Sequence, residues 1–307
     1  MMALMITGAA LSFDAVSKRF NKTMALEKVS WAMRTGDKTC LLGPNGAGKS
    51  TSIRLLEGAL KPSAGHVSLL GTSPGTPSYE QVRRRTGIVP QAPGMYEELS
   101  VKDYLELTRR LFHVDQDQDL IEVFGLAPYL NQRLARLSGG FQRRVIVAAA
   151  LSADPEVLLL DEPTVGLDPL AQHEVKEFLK ERMKGRTVLL CTHNLLEAQE
   201  LCDQVVILEK GHVLIQASIK ELVQKASSWV EIASVQGSSK LLLALLGMQR
   251  QAAAINEDRV RFLVGEAKQE VPPLLKGLLE QGLEIYEVRV IEASLQEVFL
   301  EKLGARR

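Results

Sequence analysis

Three short stretches of the chain combine residue types that handle phosphate. "GPNGAGKS", residues 43–50, fits G-x-x-x-x-G-K-[ST] in full. Gly43, Gly46 and Gly48 let the backbone curl so that its N–H groups converge on phosphate oxygens. Lys49 adds a point charge for the terminal phosphates, and the Ser50 hydroxyl is a ligand for Mg²⁺. "VLLLDEP" places Asp161 and Glu162 at the end of an apolar run. Asp161 is suited to hold Mg²⁺, directly or through water, which leaves Glu162 to orient and deprotonate an attacking water. "CTHNLLEA" repeats the arrangement, with His193 after a second apolar run and placed to sense a γ-phosphate. Each stretch also has a plainer reading: a Gly-rich turn with an incidental lysine, a solvated pair of acids, a hydrogen-bonding histidine. A strand before residues 43–50 and a helix after them favour the phosphate loop.

A fourth stretch, "LSGGFQRRVIVAAAL" at 137–151, raises a question. Ser138 is a good N-cap, and two glycines in a row mean that something comes close to the backbone. The N–H groups at the start of such a helix form an anion site. One nucleotide does not need two anion sites in one chain.

The elements that would carry these groups can be read from periodicity. "LSFDAVSKRF" and "KVSWAMRTGDKTCLLG" alternate as strands joined by turns. "KTCLL" leads into the Gly-rich loop, and "TSIRLLEGAL" continues it as a helix. Residues 92–136 read as helical. "VLLLDEP" and "TVLLCTH" are too short for helices and too uniformly apolar for half-exposed strands, so buried parallel strands are expected. Asp161, Glu162 and His193 then fall at strand carboxyl ends, where doubly wound sheets bind ligands. "VVILEKGHVLIQAS" reads as a hairpin about Lys210 and Gly211. Composition shifts near residue 217, and a β-α-β-β-α-β-α order follows, ending in a helix over "SLQEVFLEKLG".

Composition narrows the class. The 307 residues suggest one large domain or two ordinary ones; 46% are apolar and 24% charged, as in a globular protein. Lys plus Arg equals Asp plus Glu at 37 each, so no net charge draws the chain toward nucleic acid. No apolar run is long enough for a spanning helix, and "MMALMITGAALSF" lacks the basic region of a secretory signal. Cys40, Cys191 and Cys202 fit no zinc or redox spacing and read as buried, reduced thiols.

The set "GPNGAGKST", "GIVPQ", "LSGGFQRR", "VLLLDEP", "GLDP" and "CTH", in this order, resembles the ATP-binding subunit of an ABC transporter. The resemblance spans about residues 10–217, and LSGG separates this family from other P-loop ATPases. It implies an α/β P-loop NTPase core with an antiparallel β subdomain and a helical subdomain at about 92–150. That core, residues 1–217, would be followed by a small C-terminal α+β domain, 218–307. It implies ATP and Mg²⁺ as ligands, with Gly43, Pro44, Asn45, Gly46, Ala47, Gly48, Lys49, Ser50 and Thr51 cradling the nucleotide. Phe20 would stack on adenine, where the family more often has Tyr. Gln91 would touch Mg²⁺ beside Ser50 and Asp161 and report nucleotide state to the membrane partner. Asp168 would communicate across a dimer, although locally it reads equally well as a turn residue before Pro169. Glu162 carries over as general base and His193 as the switch histidine.

The same resemblance answers the question of two anion sites. Ser138, Gly139 and Gly140 would face the γ-phosphate of ATP held by a second copy, in a head-to-tail homodimer with two-fold symmetry. Phe141 stands where the family often has Gln, which leaves the phosphate role untouched. "ASLQEVFLEKLG" resembles the end of ABC-2-type exporter ATPases, the drug-resistance, sodium-efflux and polysaccharide-export groups among them. The expected protein is an ATPase at the cytoplasmic face of a membrane, held there by a separate permease, with export as its direction. The competing class is a non-transport ABC ATPase acting on DNA or ribosomes. About 88 residues without sustained heptads separate Lys49 from Leu137, and there is one cassette, both against that class.

Overall fold

The computed structural model describes residues 8–91, 94–112, 118–152, 154–225 and 228–291, together with 295, 296, 298 and 299. The chain divides into two compact units, Met1–Ala217 and Ser218–Arg307.

The first unit opens with strands β1 (Ala9–Phe20) and β2 (Thr23–Arg34), which pair antiparallel. Strand β4 (Ala64–Leu69) adds to β1 on its other side. The second sheet holds β3 (Lys38–Leu42), β5 (Thr86–Val89), β6 (Val157–Asp161), β7 (Thr187–Cys191), β8 (Gln204–Glu209) and β9 (His212–Ser218), in the order β5-β6-β7-β3-β8-β9. Every residue of β6 and β7 is buried, as their uniform apolar runs require, and both pair in parallel. Lys210 and Gly211 both take positive φ between β8 and β9, the geometry of a tight I′ hairpin.

Helices α1 (Lys49–Leu56), α2 (Tyr79–Arg84), α3 (Val101–Phe112), α4 (Gln118–Val123), α5 (Gly139–Ser152), α6 (Pro169–Arg182) and α7 (Leu195–Leu201) connect these strands. The helical reading of 92–136 needs correction. Residues 94–100 are not helical, and 92, 93 and 113–117 lie outside the described residues. The helix begins only where Ser100 caps it, its Oγ accepting from the Asp103 N–H at 3.1 Å and donating to the Asp103 carboxylate at 2.6 Å. Beyond α4 the chain makes only short 3₁₀ turns at Ala127–Tyr129 and Leu134–Arg136.

The second unit begins with α8 (Ile219–Lys225) and continues through β10 (Ser228–Ser234), α9 (Ser238–Gly247), β11 (Ala252–Ala254), β12 (Arg259–Val264), α10 (Ala267–Glu280) and β13 (Ile285–Ile291). Its antiparallel sheet has the order β11-β12-β10-β13. Val230, Ile232, Val260 and Phe262 face Leu241, Leu245, Leu274 and Leu278 of α9 and α10 in one apolar core. Helix α10 starts four residues before the "VPPLLKG" run, because the Glu270 carboxylate accepts from the Gly265 and Glu266 N–H groups and caps its first turn. Most of the helix expected over "SLQEVFLEKLG" lies outside the described residues.

Candidate active site

The sheet order brings the functional loops to one edge. The chain leaves β3 toward β5 on one side and later reaches β8 on the other, so the crevice opens at the carboxyl end of β3. Residues 43–48 turn there into α1. A Cβ on Gly43 would lie 2.3 Å from the Leu208 carbonyl oxygen, and one on Gly48, at φ +108°, would meet Leu26 at 2.5 Å. Glycine at both positions lets the loop close against its neighbours. The first helical bond runs from the Ser52 N–H to the Gly48 carbonyl at 2.9 Å, so the N–H groups of Lys49, Ser50 and Thr51 lie ahead of it. Lys49 is buried, and its Nζ donates to the carbonyls of Gly43 at 2.7 Å and Pro44 at 3.2 Å. The ammonium is thereby drawn back across the mouth of its own loop.

Three neighbouring strands deliver the remaining groups. In parallel register, Val89 stands beside Leu160 and Asp161 beside Cys191. Gln91 after β5, Asp161 and Glu162 at the end of β6, and His193 after β7 therefore share an edge with the phosphate loop. Ser50 Oγ lies 3.2 Å from Gln91 Oε1. Asp161 is buried, and its Oδ1 has no hydrogen-bond partner among the described residues. Burial raises the Asp161 carboxyl above the usual range, and a Ser50 hydroxyl hydrogen bond works against that. A buried carboxylate oxygen without a partner, beside a hydroxyl and an amide oxygen, suits a hard cation. Mg²⁺ takes one or two carboxylates with phosphate oxygens and water, and needs no cage of acids.

Glu162 Oε1 lies 2.8 Å from His193 Nδ1, and its backbone N–H donates to the Cys191 carbonyl at 2.8 Å. The Glu162 side chain is only 10% exposed, whereas that of His193 is 62% exposed. Glu162 also takes φ +54°, a left-handed conformation that is uncommon away from glycine. Such outliers persist where surrounding structure over-determines them, and they cluster at working sites.

Phe20, Ser138, Gly139, Gly140 and Asp168 form no hydrogen bond to this group among the described residues. Ser138 caps α5: its Oγ accepts from the Phe141 N–H at 3.4 Å and its carbonyl from the Gln142 N–H at 2.9 Å. A Cβ on Gly139 would meet nothing within 4 Å, so that side of the helix start is open. Phe20 is 40% exposed at the end of β1, with Lys18 Nζ 5.1 Å from its ring centre, so it is not a core residue. Asp168 is the N-cap of α6, accepting from the Ala171 N–H at 3.0 Å ahead of Pro169, and that bond draws its carboxyl below the usual range. The turn reading thus acquires a definite structural task.

Two residues pass unnoticed in the sequence. Glu197 of α7 is buried and accepts from Thr164 Oγ1 at 2.8 Å, tying the segment after Glu162 to the helix after His193. Burial raises its carboxyl, opposed by bonds from Thr192 and Thr164. Arg143 is buried on α5 among apolar neighbours. No local pattern singles it out: Gln142 and Arg144 also precede buried residues at spacings of three, four and seven, yet both are only half-buried.

The family model described as ABC transporter matches residues 26–165, from β2 to just past Glu162. The daunorubicin resistance ATP-binding protein DrrA3 of Streptomyces coeruleorubidus is 33% identical over 315 residues, 97% of each chain. The Nod factor export ATP-binding protein I of Rhizobium sp. (strain N33) is 33% identical over 302 residues, 96% of this chain and 97% of its own. Among solved structures, a dimeric bacterial ABC transporter cassette superposes with a TM-score of 0.61 at 25% identity, covering 68% of this chain and 98% of its own. With relatives above 30% identity matching the chain almost end to end around a P-loop and an acid–histidine pair, the protein belongs to the ABC transporter family, as one of its ATP-hydrolysing, ATP-binding subunits.

Proposed function

We propose that the protein drives export across a membrane by closing as an ATP-loaded homodimer against a separate permease. The observation that carries the hydrolytic part is the 2.8 Å pairing of Glu162 with His193 beside the phosphate loop. Residues 43–51 bind the triphosphate through backbone N–H groups, and Lys49 meets its terminal phosphates. Phe20 offers adenine an exposed ring face. Ser50, Gln91 and Asp161 would hold Mg²⁺, which neutralises phosphate charge when bound. Glu162 accepts a proton from the attacking water. The new bond forms at the γ-phosphorus, and its bond to ADP breaks with the electron pair leaving on ADP. His193 holds the carboxylate through Nδ1 and presents an exposed ring to the γ-phosphate.

The second anion site belongs to the neighbouring subunit's nucleotide. Among the described residues, Ser138, Gly139 and Gly140 show no bond to their own phosphate loop, and the start of α5 is open at Gly139. A dimeric cassette of the same fold supports this arrangement. Asp168, which orients the start of α6, would set the loop that meets the partner. A permease partner and an export direction rest on the relatives' roles in daunorubicin resistance and Nod factor export. No helix among the described residues is long and apolar enough to cross a membrane. In this reading the permease holds the chain at the cytoplasmic face. Gln91 would report nucleotide state to it. A cavity of about 370 Å³ beside Pro90, lined by Tyr104, Leu107 and Leu111 of α3 and by Arg83 and Arg84 of α2, supports a protein contact there.

Lys49→Ala tests the nucleotide site. A charge-assisted hydrogen bond contributes about 1.5–3 kcal/mol, so MgATP affinity should fall roughly tenfold to a hundredfold. Isothermal calorimetry measures this directly, and unchanged affinity would contradict the assignment of the loop.

A further inference from the structure

Arg143 lies on the LSGG helix, yet the side-chain hydrogen bonds it makes among the described residues all leave that helix. It is 4% exposed. Its Nε donates to the Pro163 carbonyl at 3.1 Å. One terminal nitrogen donates to the carbonyl of Pro90 and reaches that of Gln91 at 3.4 Å. The other donates to the carbonyls of Asp161 and Glu162. One planar fork therefore holds five backbone carbonyls on two segments. Those segments carry Gln91 and Asp161, the proposed metal ligands, and Glu162, whose left-handed backbone needs outside support. Arginine suits this task because its donors diverge in a rigid plane, whereas the lysine ammonium is compact and reaches few acceptors at once.

We propose that Arg143 is a positioning residue for hydrolysis, clamping the backbones of Gln91, Asp161 and Glu162 to the helix that begins at Ser138. It acts through those residues and has no contact with nucleotide assigned to it. The clamp also makes a path: a shift of α5 when Ser138 meets the neighbour's phosphate would be passed to the acid and to Gln91. This rests on the assignment of Glu162 as general base and of Gln91 and Asp161 as metal ligands.

The decisive variant is Arg143→Lys, which keeps the charge and loses the fork. Binding of ATP in EDTA should stay within about threefold of the parent, since the phosphate loop is untouched. kcat should fall about 10- to 100-fold, as misplacing a reacting group by about an ångström does. The Mg²⁺ concentration for half-maximal turnover should rise at least about fivefold while KM for MgATP at saturating metal changes little. A merely structural role would lower the amount of folded protein and leave both constants of the remainder unchanged. Arg143→Gln, with fewer donors and no charge, should show the same pattern more strongly. A folded Arg143→Lys protein with parental kcat and Mg²⁺ dependence would overturn the proposal, as would failure of both variants to fold. Glu162→Gln run beside them separates the premises: if that variant turns over normally, the site assignment itself is wrong.

Discussion

Glu162→Gln should bind ATP and hydrolyse it at least about 100-fold more slowly, within the range usual for loss of a general base. The exchange is close to isosteric, so it tests chemistry rather than packing. Gln cannot take the proton of the attacking water. It can keep a hydrogen bond to His193, now 2.8 Å away, and its backbone keeps the Cys191 bond. The conformation at φ +54° is imposed by the surroundings, so it should persist in the variant. Because binding survives and turnover does not, ATP-loaded dimers should accumulate. Size-exclusion chromatography with ATP measures this, and single-turnover hydrolysis measures the rate. Near-normal turnover, or no ATP-dependent dimer, would contradict the role.

Ser138→Arg should have an effect of similar size from the far end of the site. The serine caps α5 through a bond to the Phe141 N–H, and the glycines after it leave backbone N–H groups approachable. Arginine removes the cap and fills the space where a neighbour's phosphate would enter. ATP binding to the monomer should change little, because among the described residues no bond joins Ser138 to the phosphate loop of its own chain. Turnover should drop at least about 100-fold, the scale of removing a positioned donor from a transition state. Parental turnover in a folded Ser138→Arg protein would contradict the second anion site.

What could be read from the sequence depended on range. The strand, glycine turn and helix around residues 43–50 were legible because they are contiguous and the turn's glycines take the positive φ that it needs. Strands β6 and β7 were legible because burial on both faces leaves uniformly apolar runs, which the structure realises in full. Ser138 as a cap was legible from one residue type ahead of a helix. The 94–100 segment was not, since an apolar period alone does not mark a start that Ser100 sets by its own hydrogen bonds. The sheet order, which brings Gln91 beside Ser50, is a long-range result with no local signature. The left-handed Glu162 and the five carbonyls around Arg143 lie further from reach. They depend on where backbone oxygens converge from segments 18 to 53 residues away.

The composite site is the central claim, and mixing two inactive subunits tests it most directly. A Ser138→Arg subunit keeps its phosphate loop, and a Lys49→Ala subunit keeps its LSGG helix. In their mixed dimer one site joins the two intact halves, and the other carries both lesions. Single-turnover hydrolysis should appear in the mixture and in neither variant alone, at no more than about half the amplitude of the unsubstituted dimer for one intact site of two. Dimer closure is followed in parallel, so that formation of mixed dimers is established independently. If mixed dimers form and close on ATP but hydrolyse no more than their parents, completion of the site by the neighbouring subunit is contradicted.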